Sequence, residues 1–309
     1  MSVVSKPYRE TTHKRQIHMV LQSLTTRRHD DPLATLRLPF VEEFIQPLYT
    51  HDTLDKHIHE LFACILFYHG IYVASSITSP RLFSETFRTL SKKTRIDFHV
   101  HVVSMVQSVL ILFLILPLFS DPVLNADRMF AYTPYCGFVT TAALGYFIWD
   151  AIISLIYVKY FGVGFLTHGV VSSAVFYIGL GPFIAYYSAI FILFELSTPF
   201  LNLRWFGLKF PNLFPSSFQL INNSILILIF FFVRICYGWY QASMLFTDFY
   251  YTYQDPRFNT VGAVVIFVGN MILNVLNLYW FYRMVRVAYA ILVDMFNGSD
   301  DHEEAKKDI

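Results

Sequence analysis

The chain has 309 residues, of which 55% are hydrophobic, 18% aromatic and only 15% charged, with a formal net charge of +1. An ordinary soluble domain carries about a quarter charged residues, so this balance excludes one, and the near-neutral charge offers nucleic acid no basic face. No phosphate loop, glycine-rich dinucleotide fingerprint or nucleophile-elbow serine is present, and no spacing signals a metal, nucleotide or prosthetic cofactor.

Residues 1–36 mix Lys, Arg, His, Thr and Asp without an apolar core and small-residue cleavage site, which reads as a mobile tail rather than a signal peptide. Leu38 to Tyr49 alternates apolar and acidic groups between Pro39 and Pro47, the pattern of a short interfacial helix. Seven apolar runs then follow at about 58–78, 98–119, 133–157, 163–180, 182–197, 219–241 and 260–282, each long enough or nearly so to cross about 30 Å of hydrocarbon. Gly179-Leu180-Gly181-Pro182 separates the fourth from the fifth, leaving open whether that pair crosses twice or forms a re-entrant hairpin. Cys64, Cys136 and Cys236 stand far apart in apolar blocks and read as buried thiols rather than a metal or disulfide set. The expected organisation is a tail (1–56), a first span with its loop (57–91), a main membrane domain (92–290) and a second tail (291–309).

Charge bias sets the expected orientation. Arg37, Lys56, Arg128 and Arg257 flank the spans on the amino-terminal side, against Arg81, Arg88, Lys92, Lys93, Arg95, Lys159, Arg204, Lys209, Arg283 and Arg286 on the other. The carboxyl terminus is therefore expected in the cytosol and the amino terminus in the lumen. Lys306 and Lys307 stand fourth and third from the end, as in the dilysine signal that a retrograde coat reads to return membrane proteins to the endoplasmic reticulum. The two sequons, Asn222-Asn223-Ser224 and Asn297-Gly298-Ser299, would then face the cytosol or the membrane edge and stay unused.

Charge at bilayer depth costs about 2.5–3.5 kcal/mol on insertion scales, so polar groups inside spans face a bundle interior, a partner or a cavity. In the second span Asp97, His101, Ser104 and Ser108 share one helical face, with Gln107 beside them. Tyr146, Asp150 and Ser154 repeat at one-turn spacing in the third, and His168 and Ser172 do so in the fourth. Glu195 ends the fifth, Arg234 interrupts a phenylalanine run in the sixth, and Asn270, Asn274 and Asn277 line up in the seventh. Polar stripes on most spans predict an all-α transmembrane bundle around a central polar-lined cavity. Arg234 could neutralise either Asp150 or Glu195, and His168 could move a proton or accept an acyl group if either carboxylate oriented it. His99 and His101, near the start of their span, read as interfacial.

In order along the chain stand Arg95-Ile-Asp-Phe-His-Val-His-Val-Val-Ser104-Met-Val-Gln107-Ser108, Gly145-Tyr146-Phe-Ile-Trp-Asp150, His168, Glu195-Leu-Ser197-Thr198-Pro199 with Asn202 and Arg204-Trp205, and Arg234 after its phenylalanines. This series resembles the TLC-domain family, named after the TRAM, Lag and CLN proteins, over roughly residues 92–290. The Glu-Leu-Ser-Thr-Pro element is its most specific part. The resemblance implies a helical membrane bundle in the endoplasmic reticulum or a related membrane. The family's ceramide synthases transfer an acyl group from acyl-CoA to a sphingoid amine with a paired His-His and nearby Asp residues. This chain departs from them: Thr167-His168-Gly169 holds one histidine, Gln107 stands where other members carry a histidine, and neither a homeobox-like insert nor an aspartate-rich stretch is present.

Those departures point first to a protein that binds, senses or moves an acyl lipid in lipid homeostasis. Ser104, Gln107, Tyr146, Asp150, His168, Ser172, Glu195, Arg234 and Asn274 would then line its cavity. The alternative is an acyl-CoA-dependent N-acyltransferase with His168 as base or acyl acceptor and Asp150 as its orienter. A third reading is a partner in membrane-protein biogenesis.

Overall fold

The computed structural model describes residues 30–45, 53–211 and 214–297, and among these the fold is all-helical. Seven long helices follow one another: α1 (Leu54–Leu82), α2 (Lys92–Ser120), α3 (Pro134–Ile156), α4 (Val163–Ile178), α5 (Ala185–Lys209), α6 (Ser216–Thr252) and α7 (Thr260–Asn297). Six are long and apolar enough to cross a bilayer. At 16 residues α4 spans only about 24 Å. The protein is a multi-pass membrane protein.

The helices begin where the local chemistry favours it. Ser91 caps α2 by accepting the amide of Thr94, and Thr133 caps α3 by accepting that of Cys136, with Pro134 at the first helical position. Gly162, at φ +84°, turns the chain from α3 into α4, and the Gly179–Pro182 break separates α4 from α5. Ile184, at φ +58°, opens α5 in a left-handed conformation that a β-branched residue adopts at a cost of about 1–3 kcal/mol. Its amide donates to the Met129 carbonyl, 2.8 Å away, which pins this turn to the loop before α3.

The core is centred on α3, nearly all of whose middle is buried, with α1, α2 and α4 packed around it. Gly145 and Gly169 permit that closeness. A Cβ at Gly169 would lie 2.8 Å from the main-chain nitrogen of Ala151, so α4 meets the α3 backbone directly. Large apolar side chains remain exposed around the perimeter, among them Leu66, Phe113 and Val261, as befits helices whose outer faces meet lipid.

Residues 30–45 fold back onto the bundle: Val41 is buried in the core, and Leu33, Leu38 and Ile45 pack against it. A short wide helical turn, Val41–Ile45, stands within the expected interfacial segment, whose residues 46–49, like residues 1–29 and the Lys306-Lys307 pair, lie outside the described residues. Of the expected buried thiols, Cys136 is buried and Cys64 half-buried, but Cys236 is exposed on the outer face of α6, where apolar surroundings are lipid rather than protein. His99 and His101 are held inside rather than at a free interface. Ser75 Oγ lies 2.9 Å from His99 Nδ1, and Asn202 Oδ1 lies 2.7 Å from His101 Nδ1.

Candidate functional site

Two irregular helical segments face each other at the centre of the site, and proline chemistry explains the first. Pro199 has no N–H to return to the preceding turn, and the chain over Leu193–Ser197 tightens into a 3₁₀ helix. The amide of Thr198 then bonds to the Glu195 carbonyl, three residues back, and the Phe194 carbonyl loses its regular partner. On the facing helix, Phe230–Tyr237 widens into π-helical turns that carry Arg234. Its guanidinium reaches into the break: Nε donates to the Phe194 carbonyl (3.1 Å) and to Ser197 Oγ (3.0 Å), and Nη2 to Thr198 Oγ1 (3.2 Å). Nη1 reaches Asn277 Oδ1 at 3.4 Å, and the rings of Phe194 and Phe230 stand 5.9 and 5.2 Å from the guanidinium carbon.

Glu195 is the carboxylate that this arginine neutralises, at 3.8 Å from Nη2 to Oε1. Its Oε2 is buried without a hydrogen-bond partner among the described residues. Asp150 is committed elsewhere: its Oδ2 lies 3.7 Å from His168 Nδ1. The alternative left open by the chain's order is thereby resolved into two pairs, Arg234 with Glu195 and His168 with Asp150. The imidazole packs edge-on against Phe147 and Trp280, with ring centroids 5.8 and 5.6 Å away.

Arg234, Glu195 and His168 border one cavity of about 60 Å³ between α3–α7, with His168, Ser172, Glu195, Arg234, Asn270, Asn274 and Asn277 as its polar lining. Phe147, Phe176, Phe191, Phe194, Leu245 and Ile266 supply apolar walls, and the strained Ile184 stands among them. Asn274 Nδ2 donates to Asn270 Oδ1 at 2.8 Å, so the asparagine stripe of α7 presents a linked polar edge.

Ser104, Gln107, Tyr146 and Asp150 stand outside this lining, Asp150 lying behind His168. Tyr146 is buried against Tyr68 with Ser104, Asp150 and Glu195 as polar neighbours, which places it behind the Glu195 wall. Ser104 accepts from Asn202 Nδ2 at 3.1 Å, in a cluster where His101 stacks on Trp205 at 4.4 Å. Gln107 is fully buried, and neither amide atom has a partner among the described residues. Asn222, the first sequon's acceptor, is also buried and donates to the Phe200 carbonyl at 2.9 Å. Reading the spans one by one missed Ser197 and Thr198 as partners of Arg234. The proline after them was the available signal, because a broken turn leaves a carbonyl to be satisfied.

The family model for the TLC domain matches residues 97–286, which contain all of this machinery. The chain belongs to the TLC-domain family. It is 40% identical over 203 residues to a TLC domain-containing protein of Saccharomyces cerevisiae, covering 62% of this chain and 64% of the relative. It is 35% identical over 254 residues to one of Schizosaccharomyces pombe, covering 79% and 84%. It is also 30% identical over 230 residues to TLC domain-containing protein 4 of Homo sapiens, covering 71% and 82%. No solved structure matches the chain. In this TLC-domain chain the Glu-Leu-Ser-Thr-Pro element acquires a physical meaning. The proline breaks α5, and the glutamate, serine and threonine surround the arginine that repairs the break.

Proposed function

We propose that this TLC-domain protein binds the polar end of an acyl lipid in the cavity between α3–α7 and acts in lipid homeostasis. The observation that carries this reading is a buried guanidinium beside three aligned asparagines inside apolar walls. One cation and a row of amides suit an anionic or carbonyl-rich headgroup, and the aromatic walls suit the first methylenes of a chain. A volume of about 60 Å³ is far below the roughly 300–1,000 Å³ of pockets that enclose a ligand, so it receives part of a headgroup while the acyl chain runs along the helices. The endoplasmic reticulum is the proposed location, with the amino terminus lumenal, the carboxyl terminus cytosolic, and Lys306 and Lys307 read by a retrograde coat.

A second reading, acyl-CoA-dependent N-acylation of a long-chain amine, is favoured by one observation, a cavity-lining His168 backed by Asp150 at 3.7 Å. In that case Asp150 orients the imidazole, which takes the amine proton as the nitrogen attacks the thioester carbonyl; the C–S bond then breaks and the imidazolium returns the proton to the departing CoA thiolate. One experiment separates the two. Lipids are quantified in cells lacking the protein and rescued with wild type or His168→Ala at matched abundance. Broad acyl composition restored equally by both supports lipid binding without catalysis. One N-acyl lipid that falls while its amine precursor rises, with only wild type restoring both, overturns that reading in favour of the transferase.

A further inference from the structure

A second polar cluster, remote from the Arg234 cavity, occupies the amino-terminal end of α1. His57 and Glu60 stand one helical turn apart, and His57 Nδ1 lies 2.8 Å from Glu60 Oε2. Asp31, delivered by the segment that folds back onto the bundle, brings its Oδ2 to 3.6 Å from the same nitrogen. One donor atom from each of the three falls within 4.8 Å of the others. All three side chains are shielded, at 6% exposure for Asp31, 1% for His57 and 0% for Glu60. Two carboxylates are thus withdrawn from water side by side. Glu60 Oε1 has no hydrogen-bond partner among the described residues, and His59 Nε2 stands 3.8 Å from it. Such a group demands either a proton or a cation.

We propose that Asp31, His57 and Glu60 form a binding site for a first-row divalent cation of the zinc type. Bonds of about 2.0–2.2 Å to tetrahedral zinc separate its donors by about 3.3–3.5 Å, and the two separations at His57 Nδ1 bracket that value. The surroundings match those of a metal ligand. With Nδ1 facing the cluster, His57 Nε2 is the nitrogen bonded to the Tyr132 hydroxyl, the outer contact that fixes tautomer and ring plane in metal-binding histidines. The other oxygen of Asp31 accepts the Leu33 amide at 2.8 Å, which leaves Oδ2 for the ion. Gly137 makes room for the imidazole–phenol pair, since a Cβ there would meet both His57 and Tyr132.

The open side has a destination as well. Asp31, His57 and Tyr132 border a separate cavity of about 400 Å³, so the remaining coordination position faces space enough for water or a small oxygen ligand. Three protein ligands with one open position differ from a closed structural site. The ion would also fasten residues 30–36 to α1 and, through Tyr132, to the loop before α3. No motif announces the site, because its third ligand comes from a segment whose sequence reads as tail.

The test uses the full chain purified in detergent, treated with chelator, exposed to Zn²⁺ and desalted before metal analysis, alongside Glu60→Gln. Glutamine replaces a protonated carboxyl without changing its shape, so this variant keeps the fold if the cluster merely shares a proton. The expected result is one more zinc per chain in wild type than in Glu60→Gln, with a thermal midpoint that zinc raises in wild type alone. Tyr132→Phe should weaken the site by roughly 10–100-fold. Should Glu60→Gln fail to fold, Asp31→Asn takes its place in the same comparison. Equal zinc in wild type and variant, or no zinc in either, overturns the proposal and leaves a proton-sharing carboxylate pair.

Discussion

Arg234 donates from Nε to the main-chain oxygen of Phe194 at 3.1 Å, and so the π-turns of α6 satisfy the carbonyl that the proline-broken turn of α5 releases. Two helical defects, each costly alone, complete one another across an interface. The repair also brings a guanidinium to the edge of a cavity without leaving it unpaired.

Removing that arginine should be severe. Arg234→Ala strands Glu195, whose Oε2 already lacks a partner, and leaves the Phe194 carbonyl unmet. Breaking a buried pair from one side costs about 3–5 kcal/mol. Thermal unfolding in detergent should show Arg234→Ala far less stable than Glu195→Gln. The double variant Arg234→Met, Glu195→Leu should regain much of the loss. Equal effects of the two single changes would contradict the pairing.

Pro199→Ala restores an N–H to the position that breaks α5. The expected outcome is a regular helix through Leu193–Ser197 and slower amide hydrogen exchange at residues 197 and 198. Lipid retention should fall as well, because Arg234 then loses its main-chain acceptor. Unchanged exchange would place the cause of the tight turn elsewhere.

Gly169→Val tests how α3 and α4 approach. The added Cβ would sit 2.8 Å from Ala151 N and 2.9 Å from Ala151 Cα, neither of which can rotate aside. Overpacking of this kind costs about 1–3 kcal/mol. It should also widen the His168–Asp150 separation, readable as a loss of stability coupling between these two residues in a double-mutant cycle. Gly70→Val, with nothing within 4 Å of its Cβ, is the control expected to show neither effect.

The loop between α6 and α7 carries its own titration. Hydrogen bonds from Arg257 push the Asp255 carboxyl down to about 2. The folded value lies below the ordinary carboxylate range, so this contact's contribution is present above about pH 3.9 and fades as pH falls toward 2. Arg257→Ala removes the guanidinium bonds but keeps the residue 257 amide on Oδ1, so the Asp255 carboxyl should rise toward the ordinary range without reaching it, as followed by carboxyl carbon shifts in labelled protein.

Under the proposed topology, Lys306→Ser with Lys307→Ser should shift the protein from the endoplasmic reticulum toward later compartments. Asn222 should stay unglycosylated in any orientation because its side chain is buried between α5 and α6. A glycan on Asn297 would reverse the assigned orientation.

Hydrophobic run lengths alone determined the all-helical, multi-span architecture, because a bilayer imposes one length on every crossing segment. The ordered Gly-Tyr-Phe-Ile-Trp-Asp150, His168, Glu195-Leu-Ser-Thr-Pro and Arg234 elements determined the family. Helical spacing also placed Asn270, Asn274 and Asn277 on one stripe, and they share a cavity wall. Partner choice was not legible in this way. Whether Arg234 meets Glu195 or Asp150 depends on how far two helices approach, and that distance is decided by Gly169, Pro199 and the π-turns together. Periodicity along one helix carries no information about separations across helices. Asp31 is the extreme instance: a polar stretch reads as tail, and only its burial beside His57 and Glu60 makes it part of the protein's interior.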